Sequence, residues 1–84
     1  MAQLRRTSDS AGDTGVLRVS NKYSPSFQFV EEVRVGDVVR VGSLTSRMFE
    51  FQDYWTTTPI IEIVSNSSDM CVFKTGNSEY TLWY

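Results

Sequence analysis

The strongest constraint lies in the last third of the chain. Ile60-Ile61-Glu62-Ile63-Val64 is β-branched except for Glu62, and Met70-Cys71-Val72-Phe73-Lys74-Thr75 is a second β-rich run. A third, Ser78-Glu79-Tyr80-Thr81-Leu82-Trp83-Tyr84, follows directly on Gly76-Asn77. Gly-Asn between two such runs is a hairpin signal, because both residues tolerate positive φ. Ser65 to Asp69 is a polar connection between the first two runs. Residues 58–84 are therefore expected to form a three-stranded antiparallel meander.

The preceding stretch also reads as strand. Val16-Leu17-Arg18-Val19 is a short apolar run, followed by turn residues Ser20-Asn21-Lys22 and Ser24-Pro25-Ser26. Pro25 cannot donate to a ladder and reads as a break. From Phe27 to Val35 the odd positions Phe27, Phe29, Val33 and Val35 share a face, interrupted by Glu31. Gly36-Asp37 marks a turn or bulge, and Val38-Val39-Arg40-Val41 resumes as strand up to Gly42. Met48 to Gln52 alternates again, with Phe49 and Phe51 inward; a helical turn around 44–48 stays open. Residues 1–14 offer little to bury besides Leu4 and are expected to be a disordered, flexible N-terminal arm. The remainder, 15–84, is expected to be one small β domain.

The fold class is therefore all-β, a small antiparallel barrel or strongly bent sheet of about five to six strands. An oligonucleotide-binding type of barrel fits less well, because it ordinarily includes a helix and none is visible. A meander ending in Leu82-Trp83-Tyr84 would leave an apolar edge. Either the N-terminal strands close on it, or a second subunit pairs with it in a homo-oligomer through the C-terminal strand. The run Val35-Gly36-Asp37-Val38-Val39-Arg40-Val41 resembles the Gly-Asp-x-Val-x-Val opening of SH3-like and KOW-type barrels, which implies an SH3-like arrangement.

Composition narrows the chemistry. The chain has no histidine and one cysteine, Cys71. An internal disulfide, a zinc finger and a Cys–His or Ser–His catalytic pair are thereby excluded. No apolar run reaches the roughly 18 residues a membrane span needs. Arg5-Arg6 is not followed by the apolar stretch of a signal peptide. A cytoplasmic location is expected. Ten acids against eight bases disfavour nucleic acid, since phosphate neutralisation supplies most non-specific affinity. Arg34 and Arg40 flank acids at 31, 32 and 37 and are expected to form solvated ion pairs. Asp37, Glu50, Asp53 and Glu62 show no spacing typical of a carboxylate pair. Alternation points Glu62 outward together with Ile60 and Val64, and Cys71 reads as inert core.

Two segments combine polar groups with aromatic surface. Tyr54-Trp55-Thr56-Thr57-Thr58-Pro59 sets three hydroxyls beside two aromatics, which suits a base, sugar or phosphate. The plainer reading makes the threonines strand formers and Trp55 a plug for one end of the barrel. Thr75-Gly76-Asn77-Ser78 with Tyr80 is polar at a hairpin tip, and as a turn it needs no ligand. If the strand beginning at Thr57 pairs with 70–75, both segments meet at one end of the sheet. The candidate binding residues are thus Tyr54, Trp55, Thr56, Thr57, Thr58, Asn77, Ser78 and Tyr80, with no catalytic or metal-ligating residue and no cofactor.

Residues 55–82, carrying Trp55-Thr56-Thr57-Thr58-Pro59-Ile60-Ile61-Glu62-Ile63 and then Phe73-x-Thr75-x-Asn77-Ser78-x-Tyr80, resemble small uncharacterised phage and bacterial β-domain proteins. That resemblance implies a small β domain, often of viral origin, with no settled activity; short phage proteins of this kind often bind and inhibit a host protein or sequester a small signal. Eleven aromatics in 84 residues without catalytic side chains agree with a non-enzymatic binding module that inhibits or redirects a partner protein. Two alternatives stand beside it. One is a sequestering oligomer that binds a small molecule or nucleotide around Trp55, Thr56, Thr57, Asn77 and Ser78. The other is a single-stranded nucleic-acid-binding barrel.

Overall fold

One long strand organises the chain. In the computed structural model, which describes residues 1–42 and 54–84, β2 spans Gly12–Asn21. Its first half pairs antiparallel with β1 (Ala2–Arg6), in register Ala2↔Gly15 to Arg5↔Gly12. Its second half pairs with β3 (Ser24–Phe29) and with β4 (Val38–Gly42). The other strands are β5 (Tyr54–Thr56), β6 (Ile60–Asn66), β7 (Met70–Thr75) and β8 (Glu79–Trp83). They join in the order β5-β4-β2-β1-β8-β7-β6, with β3 attached to β2 off that path.

Gly15, midway along β2, permits the change of partners. It lies against Gly42 so closely that a Cβ at residue 15 would stand 2.5 Å from the Gly42 carbonyl carbon and oxygen. Backbone offers no soft side chain to move aside, so the strands themselves must separate. Gly15→Ala is expected to cost about 1–3 kcal/mol, as overpacking of a close-packed interior does. Urea denaturation measures it; an unchanged midpoint would show that the strands can part freely.

The described residues form an all-β, antiparallel fold of eight strands, more than the expected five or six, and the sheet is not closed into a barrel. It nevertheless curls. Trp55 on β5 donates from Nε1 to the Tyr80 hydroxyl on β8 at 3.4 Å. Those strands are four places apart along the sheet, roughly 19 Å if it were flat. At the seam, Thr57 N–H donates to the Val39 carbonyl at 2.8 Å. Gly36 N–H donates to the Ile60 carbonyl at 2.8 Å, and Ile60 N–H to the Asp37 carbonyl at 2.9 Å. The segment from β5 to β6 thus bridges the two ends of the sheet. Both halves contribute to one core, including Leu4, Leu17, Val39, Ile60, Phe73 and Leu82.

The N-terminal residues correct the expectation of an arm. Ala2 and Leu4 alternate inward and are buried, and β1 lies between β2 and β8, with Leu4 opposite Leu82. The polar residues after it form a turn. Arg6 N–H donates to the Ala11 carbonyl at 2.7 Å, and Ser10 N–H to the Arg6 carbonyl at 2.8 Å. Asp9 accepts from Arg6 Nη2 at 2.6 Å and from the Ala11 N–H at 3.1 Å, while Ser10 takes φ 61. What reads as disordered composition is turn chemistry between two strands.

The same strand removes the expected apolar edge. β8 pairs with β1 on one side and β7 on the other, so pairing with a second subunit through the C-terminal strand has no free edge to use. The β6–β7–β8 meander is present as expected. Its Gly76-Asn77 turn works differently: neither residue has positive φ. Instead the Thr75 hydroxyl accepts from the N–H groups of Asn77 and Ser78 at 3.3 and 3.2 Å.

Three further readings change. Pro25 lies within β3, not at a break; among the described residues β3 pairs only with β2 and its register shifts there, where a missing N–H is tolerated. The Phe27–Val35 face does not form, because β3 ends at Phe29 and the chain then wraps irregularly, burying Val33 but exposing Phe29 and Val35. Ile60 is buried, not outward with Val64, because β6 carries irregularities between Ile60 and Glu62 and between Ile63 and Ser65. The expected strand at Met48–Gln52 and the open helical turn at 44–48 lie outside the described residues. Among the described residues no helix is long and apolar enough to cross a membrane.

Candidate functional site

The sequence-predicted residues divide by what their polar groups already hold. Thr57 is buried; its hydroxyl accepts from Val39 N–H at 3.1 Å and donates to the Thr58 carbonyl at 2.8 Å. It thus replaces a ladder bond at the seam. Thr56 is exposed, and its hydroxyl accepts from Arg40 Nε at 3.0 Å. The Arg40 guanidinium stands 3.8 Å from the Phe27 ring centroid and 4.2 Å from that of Tyr54, held between two aromatic faces. Arg40 therefore makes aromatic contacts across β3, β4 and β5 rather than the expected ion pair. Thr58 is exposed.

Trp55 and Tyr80 are the members that the fold brings together across the two segments. Trp55 is half-buried against the core, with the Arg6 guanidinium 5.2 Å from its ring centroid. Tyr80 is buried and stacks on Phe73, centroids 5.6 Å apart. Asn77 is exposed and Ser78 half-buried at the hairpin tip, their N–H groups turned onto Thr75. Glu62 is exposed opposite Lys74. Cys71 lies in the core, where burial pushes its thiol pKa up and keeps it protonated.

None of the eight lines a cleft of about 950 Å³ that lies between two turns. The first turn follows β2. Asn21 Oδ1 accepts from the N–H groups of Tyr23 and Ser24, each at 2.9 Å, which throws the Tyr23 side chain into solvent. The second runs from Arg34 to Asp37, where Asp37 N–H donates to the Arg34 carbonyl at 3.1 Å and Gly36 takes φ 95. Positive φ at the third position is what a type II turn demands, so glycine is required there. One hydrogen bond joins the turns: Asn21 Nδ2 donates to Asp37 Oδ1 at 3.0 Å. The other oxygen, Oδ2, accepts from Arg34 N–H at 2.9 Å, which explains how Asp37 is tolerated when buried.

The segment leading into the second turn is fixed from the opposite side by Tyr84. Its hydroxyl accepts from Val33 N–H at 3.4 Å and donates to Asn66 Oδ1 at 3.2 Å, and Asn66 Nδ2 donates to Glu32 at 2.6 Å. Burial, the largest effect, pushes the Tyr84 hydroxyl pKa from 10.0 to about 12. Because the folded pKa is raised, the fold favours the neutral phenol. That contribution is complete below pH 10.0 and is lost as pH rises through about 12. A tyrosinate absorbance step near pH 12 is expected, and Tyr84→Phe should remove it. A wild-type titration finished by pH 11 would contradict it.

Both turns were visible in the sequence as turn residues, Asn21-Lys22 and Gly36-Asp37. The hydrogen bond that pairs them crosses 16 positions, and no local pattern announces it. The cleft therefore had no signal of its own. The chain matches no protein-family model, no curated protein and no solved structure.

Proposed function

We propose that this chain is a non-enzymatic binding module that docks on another protein, in the manner of a small inhibitor or adaptor. The observation that carries this reading is a set of exposed apolar side chains on the two turns and on β6. Tyr23 is 85% exposed, Val35 61%, Ile61 62% and Val64 49%. Val35 and Ile61 are brought close because the Gly36 N–H and the Ile60 carbonyl beside them are hydrogen-bonded. Ile61 and Val64 fall at the two irregularities of β6, which aim side chains away from the regular pleat. Pro25 and Pro59 continue the apolar surface inside the cleft. Such a patch beside a preformed cleft supports a protein interface.

An SH3-like arrangement, left open at the seam, belongs to the same proposal. The Gly36-Asp37 turn leading into Val38–Val41, and the segment from β5 to β6 across the seam, support it.

Trp55 is a poor probe of docking, since its substitution disturbs the core. Tyr23→Ser with Val35→Ser tests the surface instead. The wild-type chain is expected to capture a specific protein from a lysate of its source, and the double variant to lose it. Loss of one central tyrosine contact of about 2 kcal/mol already weakens binding roughly 30-fold. The variant's melting temperature should not change. Equal capture by both proteins would refute this surface.

A further inference from the structure

The cleft beside Tyr23 has a charge pattern opposite to that of the whole chain. Net charge is −2, yet the lining side chains of the charged types (Lys, Arg, Asp, Glu) are Lys22, Arg34 and Asp37. Asp37 is buried, and its two oxygens are occupied by Asn21 Nδ2 and the Arg34 N–H. A ligand entering the cleft therefore meets the exposed Lys22 and Arg34. Among the described residues the one ion pair is Arg6 with Asp9, so neither cation is held by a carboxylate there. Lys22 Nζ lies 4.9 Å from the Tyr23 ring centroid, so cation and aromatic face are presented together. Val35 and Pro59 supply the apolar wall.

We infer that this cleft takes an acidic segment of a partner protein that carries an apolar or aromatic side chain. The acidic groups face Lys22 and Arg34, and the apolar side chain seats against Tyr23, Val35 and Pro59. This deepens the docking reading above and rests on it. Buried apolar contact supplies most of the affinity, while rim charges set association rate and partner choice. Two cations on an acidic chain are few for an anionic lipid surface or a nucleic acid, where binding grows with each phosphate or headgroup met. A cleft with an apolar wall is also suited to an inserted side chain rather than a flat bilayer.

The test uses the whole chain as bait for a random-peptide display library, with enriched sequences remade as labelled synthetic peptides. Enrichment of aspartate and glutamate around an apolar or aromatic residue is expected. Affinity for such a peptide should fall about tenfold in the Lys22→Glu, Arg34→Glu double variant, and fall with added salt. Amide analogues of the same peptide should bind wild type and variant alike. Thermal unfolding should be unchanged, because both side chains are exposed. Peptides enriched without acids, or acidic peptides that bind the variant equally, overturn the inference. So does an absence of enriched peptides, or preferential binding of phosphatidylserine vesicles or an oligonucleotide through Lys22 and Arg34. If Tyr23→Ser with Val35→Ser abolishes partner capture while the charge variant does not, this inference fails and the docking reading stands. If neither matters, the docking reading falls with it.

Discussion

A chain lacking residues 1–11 is expected not to fold. The deletion removes β1 and its turn, and β1 is the strand that joins β2 to β8. Without it the β6–β7–β8 meander and the β2–β3–β4–β5 group keep the seam contacts near Ile60, the side-chain bonds of Trp55 to Tyr80, Val33 to Tyr84 and Asn66 to Glu32, and the side-chain core, but no ladder. Two ladders are lost, and β8 gains an unpaired edge next to buried Leu82. Leu4, fully buried, leaves with the strand. Truncating a buried leucine alone costs about 2–5 kcal/mol. A domain of this size has roughly 4–12 kcal/mol of total stability. Loss of two backbone ladders in addition should exhaust it. Leu4→Ser in the full-length chain gives a graded version, expected to remove at least about 2 kcal/mol. Circular dichroism and the dispersion of amide proton resonances read both proteins. A deleted chain that keeps a dispersed, native-like spectrum would mean that residues 1–11 are peripheral after all.

That experiment also separates what the sequence discloses from what it hides. Local signals were legible where a strand and its neighbour follow one another. The meander from Ile60 to Trp83, the turn at Gly36-Asp37 and the core position of Cys71 could all be read from short windows. Long-range pairing could not. β1 has only Ala2 and Leu4 as inward residues, a composition that supports a strand only when β2 and β8 flank it. The inward position of Ile60 depends on irregularities in β6, which shift alternation by a residue and leave no mark in the sequence. The site behaved the same way. Trp55 and Tyr80 both stood among the candidate binding residues, and in the fold they meet as packing partners in a curled sheet. The cleft depends on an Asn21–Asp37 bond between turns that are separate in the chain.

Phe73→Ala is the second substitution with a large expected effect, because Phe73 supports more than its own volume. Phe73 is fully buried on β7, and its ring stacks on Tyr80 with centroids 5.6 Å apart. Tyr80 in turn accepts the Trp55 indole N–H, the bond that draws β5 over β8. Emptying position 73 therefore removes apolar contact in the core and loosens the ring that holds the sheet's curl. A Phe→Ala change in a core costs about 3–5 kcal/mol. For a domain of 60–100 residues each kcal/mol lowers the melting temperature by roughly 4–8 °C, which gives a fall of about 12–40 °C. Phe73→Leu keeps most of the volume and should cost less than about 1.5 kcal/mol. The wider role appears in a double-mutant cycle with Trp55→Phe, which removes the indole N–H together with the pyrrole ring that carries it. Positions that act through the same tyrosine should show a coupling of at least about 0.5 kcal/mol, whereas independent sites add. Chemical denaturation of the four proteins measures it. Strict additivity would leave Phe73 as a core residue without a hand in the curl, and a loss below about 1 kcal/mol for Phe73→Ala would contradict its place in the core itself.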